Sequence, residues 1–131
     1  MNKEFVTYKQ ALTLKELGFD EMCFAWYNYG ELLEFGNDHI LDMYAGEDKK
    51  PVAPLKQQVF RWFREKYNIV IEINVYSTTD GYAFSFKILC KKYTPFIDAN
   101  DTWTTYEEAE NACIDKLIEL AKKQDNDTNP K

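Results

Sequence analysis

Histidine occurs once and glycine only five times in these 131 residues, alongside four prolines and three cysteines. Each scarcity removes a class of function. The lone histidine, His39, falls in a polar loop segment and reads as solvated surface rather than as a catalytic imidazole. The scattered glycines contain no phosphate-cradling loop. Cys23, Cys90 and Cys113 form an odd set without a CxxC spacing, each inside an apolar pattern, which predicts buried free thiols in a reducing compartment rather than zinc ligands or disulfides. No stretch approaches the ~20 apolar residues of a membrane span, and the opening MNKEFVTYKQ lacks the apolar run of a secretory signal. The expectation is a soluble, cytoplasmic protein with no membrane partner. Positive charge is also short. Against 22 acidic residues stand 16 basic ones, a formal net charge of −6, and a broad phosphate footprint normally needs a basic face.

What is present is apolar and aromatic material, 45% and 16% of the chain. A chain of this length buries about two-thirds of its unfolded surface, so one domain over residues 1–123 is expected, with a polar, disordered tail over 124–131. The stretch from Pro54 to Cys90 supplies much of the core. Pro54 suits the first position of a helix, and Leu55, Val59, Phe60, Phe63 and Tyr67 recur along one face of it as far as Tyr67. From Ile69 to Tyr76 apolar and polar residues alternate, Asp80-Gly81 is a hairpin-turn dipeptide, and Tyr82 to Cys90 alternates again. With Asp80 and Gly81 as the loop, Val75 faces Phe86, Ile73 faces Ile88 and Ile71 faces Cys90.

Around this hairpin, Thr7 and Gln10 form a capping box for a helix to Leu17 that Gly18 ends in a Schellman motif, with Phe19 returning to Leu14. Cys23 to Phe35, dense in aromatic and aliphatic residues, reads as a second hairpin around Gly30, with strands near Cys23 to Asn28 and Glu31 to Phe35; the alternative is a helix from Met22 to Phe35, disfavoured because Cys, Phe, Trp and Tyr are poor helix formers. A long loop over 36–53 carries His39. Residues 91–103 fit either a strand extension or a loop around Pro95. Thr105 with Glu108 caps a last helix whose Ala109, Cys113, Leu117 and Leu120 keep helical spacing to Lys123. The predicted fold class is α+β: an antiparallel sheet of about four strands, in two hairpins, packed by three helices in the order α-ββ-α-ββ-α.

No constellation for catalysis emerges. Cys113 falls on an apolar helix face, which argues for packing rather than a thiol–imidazole pair with His39. Asp98, Asp101, Glu107 and Glu108 lack calcium-loop spacing and read as turn and cap residues. No cofactor and no enzyme activity is expected. The side chains define one expected binding surface and one alternative. Trp26, Tyr27 and Tyr29 lie so close together that a strand would leave some rings outward, and with Trp62 they predict a protein-binding face, self-association included. The alternative is contact with nucleic acid through Lys56, Arg61, Arg64 and Lys66 beside Trp62.

The segments GFDE (residues 18–21), FRWFREKY (60–67) and TYEEAENACIDKLIEL (105–120) resemble a group of small uncharacterised proteins of gut-bacterial genomes and prophages. This chain has Met22 where that group has a proline. The resemblance implies no catalytic residues, and it favours an accessory protein of phage or mobile-element origin that binds a host or phage component.

Overall fold

A computed structural model describes residues 2–21, 23, 25–28, 32–35, 51–90, 94–98 and 101–128. Tyr29, His39 and most of the long loop lie outside these. The chain divides into two compact units, Met1–Lys56 with Lys122–Lys131, and Gln57–Ala121.

In the first unit, a short 3-10 turn at Asn2–Glu4 precedes α1, Tyr8–Glu16. The Gln10 amide donates to Thr7 Oγ1 at 3.1 Å and the Thr7 amide to Gln10 Oε1 at 2.9 Å, so two amides that a helix start leaves unpaired are satisfied reciprocally. Gly18, at φ 98°, ends the helix. Its amide reaches the Lys15 carbonyl and the Phe19 amide the Leu14 carbonyl, the two bonds of a Schellman motif, and both Leu14 and Phe19 are buried.

β1 (Ala25–Asn28) and β2 (Leu32–Phe35) pair antiparallel with Trp26 opposite Glu34. The other side of β1 is taken as well. The Tyr27 amide donates to the Pro51 carbonyl and the Ala53 amide to the Ala25 carbonyl, around a bridge between Trp26 and Val52. Residues 51–53, read from sequence as the end of a loop, therefore work as a strand partner. A further bridge joins Phe5 to Leu55, with the Val6 amide on the Pro54 carbonyl. This corrects the start of the next helix: α2 is Lys56–Tyr67, and Pro54 lies before it with its carbonyl engaged.

In the second unit, Val59, Phe60, Trp62, Phe63 and Tyr67 of α2 are buried. Asn68, at φ 57°, turns the chain out of the helix, a conformation asparagine tolerates better than most residues. β3 (Ile69–Thr78), β4 (Gly81–Cys90) and β5 (Thr94–Asp98) form a sheet in that order. The α+β class holds, but the described strands make two sheets rather than one of about four strands, because β4 takes β5 on its far side and the β1–β2 hairpin pairs elsewhere. Pro95 sits in β5, an outer strand, where a missing N–H is tolerated. Beyond β5, Trp103 exchanges two 2.8 Å backbone bonds with Phe84.

The hairpin register differs from the expected one by two residues. Thr78 faces Gly81, Val75 faces Phe84, Ile73 faces Phe86 and Ile71 faces Ile88. Moving the loop back by one residue displaces every partner by two, so each side chain keeps its face. The gain is on both faces. Phe84 now meets Val75 instead of Ser77, while Glu72 meets Lys87 and Val70 meets Leu89, pairs better matched in charge and polarity.

The last helix, α3, is Tyr106–Thr128, continuing past Lys123. Glu108 and Thr105 form its capping box. Ala109, Cys113, Ile114, Leu117, Ile118 and Ala121 are buried along it. The Gln57 side chain donates to Glu110 Oε2 at 2.9 Å, tying α2 to α3, and Phe86 stacks on Trp103 with centroids 5.6 Å apart.

Candidate functional site

Three of the four aromatic residues expected at a binding face are interior. Trp26, Tyr27 and Trp62 retain 6%, 8% and 6% of their exposure, and Tyr29 lies outside the described residues. The Tyr27 hydroxyl donates to the Val6 carbonyl, its ring meets Tyr8 edge-on at 5.5 Å, and burial pushes its pKa up. Consecutive residues of β1 are buried, so both faces of the strand are covered. Trp62 packs edge-on against Phe63 and Tyr67, and the Lys66 ammonium lies 5.0 Å from the centre of its ring, a cation–π contact.

The basic helix is likewise redistributed. Lys56 is 2% exposed, whereas Arg61, Arg64 and Lys66 stand in solvent. With Trp62 buried, the ring that was to stack on a base is occupied by its own helix. Glu108 accepts from the Thr105 amide and hydroxyl and from the Thr104 hydroxyl, a capping role. Cys113 is fully buried, and burial, with Glu110 adding to it, holds its thiol protonated; a thiol in that state is a poor nucleophile. Among the described residues no three His, Cys, Asp or Glu gather where they could share a metal ion, and no helix is long and apolar enough to cross a membrane.

Among the described residues, the exposed large apolar side chains other than Leu12 and Tyr106 lie on the β3–β4 hairpin. Burial falls away along it, from Ile69, Ile88 and Cys90 at its base to the turn. Val75, Tyr76 and Tyr82 are 59%, 51% and 68% exposed, and nearer the base the opposed pair Val70 and Leu89 is exposed on the outer face. Tyr76 and Tyr82 point to opposite faces of the ribbon, since Tyr76 is opposite Ala83 and Tyr82 opposite Ser77. Period-2 patterning counted Val75 and Tyr82 with the core. The missed signal is length: strands of ten residues span about 33 Å, nearly twice the usual strand, and burial is confined to the part away from the turn.

No protein-family model, curated protein or solved structure matches this chain.

Proposed function

We propose that this chain is a non-enzymatic protein-binding domain that presents the β3–β4 hairpin to its partner. The observation that carries this reading is the set of large apolar side chains, Val70, Val75, Tyr76, Tyr82 and Leu89, left exposed on one hairpin. Soluble proteins seldom leave such residues clustered at the surface, and tyrosine is among the residues that dominate binding energy at interfaces. The reading keeps the function expected from the aromatic content and moves its surface, since Trp26, Tyr27 and Trp62 are used inside the fold. The likeness of three segments to proteins of gut-bacterial genomes and prophages directs the search for a partner to bacterial and phage proteins.

The test is affinity capture from bacteria co-expressing tagged and untagged copies, comparing the natural chain with Val75→Lys/Tyr82→Lys at high salt. A discrete protein, the untagged copy included, should be retained by the natural chain and lost with the variant, whose circular dichroism should be unchanged. Equal recovery with both, or nothing retained by either, would refute the reading.

A further inference from the structure

We infer that the occupant of the β3 edge is a second copy of the chain, the two β3 strands pairing antiparallel about a two-fold axis at Ile73; this rests on the protein-binding reading above. Among the described residues β3 has a hydrogen-bonded neighbour on one side only, β4. Edge strands are normally blunted by proline, lysine, a bulge or short length. β3 has none of these: it runs ten residues, IVIEINVYST, with Glu72 its one charge, and pairs with β4 without a register break from Ile69 to Thr78.

The sequence of β3 is complementary to itself. Residues directly opposite in an antiparallel pair point to the same face, so a two-fold axis perpendicular to the sheet keeps the inner faces of both copies on one side. With that axis at Ile73, Ile71 meets Val75 of the other copy, Val70 meets Tyr76, and Glu72 meets Asn74. Every apolar group left exposed on the strand then faces another, and the one carboxylate faces an amide. Placing the axis at Glu72 sets like charges against each other, which is destabilising. Placing it at Asn74 sets Glu72 against Tyr76 and Val70 against Thr78. The contact closes on itself, since each copy offers one β3 edge, and the product is a dimer with a continuous sheet ordered β5-β4-β3-β3-β4-β5.

Sedimentation equilibrium of the whole chain over a dilution series tests this, together with Asn74→Lys and Asn74→Glu. The natural chain should dimerise in a concentration-dependent manner. Asn74→Lys adds two cross-strand ion pairs to Glu72 and should tighten the dimer about two- to thirtyfold, and Asn74→Glu should loosen it by a similar factor. Because both copies are acidic, added salt should favour the natural dimer. As a second measurement, Val70→Cys/Tyr76→Cys should form a covalent dimer on mild oxidation that neither single variant forms; the natural cysteines are buried. A monomer at every concentration, or a dimer indifferent to both Asn74 variants and to the cysteine pair, would overturn the inference. Hairpin-dependent capture of some other protein by a chain that stays monomeric would overturn it too, while leaving the protein-binding reading standing.

Discussion

Cys113 is placed where its chemistry becomes a stability term. In the unfolded chain a thiol ionises near its ordinary value of 9.0, whereas in the fold burial, reinforced by Glu110, moves ionisation far higher. The folded state therefore binds the proton more tightly. This contribution is fully present below about pH 8 and is lost as pH rises above about 9, at up to ~1.4 kcal/mol per pH unit. Tyr27, also raised by burial from 10.0, acts in the same direction at still higher pH. Urea midpoints should be level from pH about 7 to 8 and fall from about 9 upward, and a thiol reagent should react at the rate of unfolding. A level profile to pH about 10, or rapid labelling of the folded chain, would contradict this account. At this scale the sequence was readable wherever the partner sits three residues away, as with Thr7 and Gln10 or Thr105 and Glu108. It was unreadable for Trp26 and Tyr27, the latter packing its ring on Tyr8 and its hydroxyl on Val6 from far back along the chain.

At the scale of the element, the β3–β4 hairpin shows which part of a pattern is robust. Alternation set the faces, and they survived a register two residues from the expected one because that shift preserves parity. The turn itself was misplaced: Asp80-Gly81 suggested a loop of those two residues, whereas Thr79 and Asp80 form it and Gly81 starts β4 at φ 140°. An alanine there would meet no atom within 4 Å, so space is not what demands glycine. The backbone is. Gly81→Ala should cost about 1–3 kcal/mol from the strained φ alone, read as a lower urea midpoint with unchanged m-value; an unaltered midpoint would show that the turn relaxes freely. The strand β5 was half legible, since residues 91–103 fitted a strand extension as well as a loop around Pro95, and an outer strand accommodates the proline.

For the molecule as a whole, caps and periodicity pointed to an α+β chain and composition to a substantial core, and neither showed that the described strands pair in two sheets. That division arises from links of very different span. Thr78 meets Gly81 across a two-residue loop, and the caps of α1 and α3 close over three residues. Val6 reaches Pro54, and Ala25 reaches Ala53. Closing a longer stretch of chain has a larger entropic penalty, and contacts distant in sequence form later. The β3–β4 ribbon should thus be in place before β1 acquires its second neighbour. In a pulse-labelling refolding experiment, amides of residues 69–90 should gain protection ahead of those of Val6, Tyr27 and Ala53, and simultaneous protection would refute this order. During that interval the ribbon carries Val75, Tyr76 and Tyr82 in water while the first sheet is still incomplete. The surface proposed for recognition in the finished protein is then also the one that a refolding chain would form first and leave exposed longest.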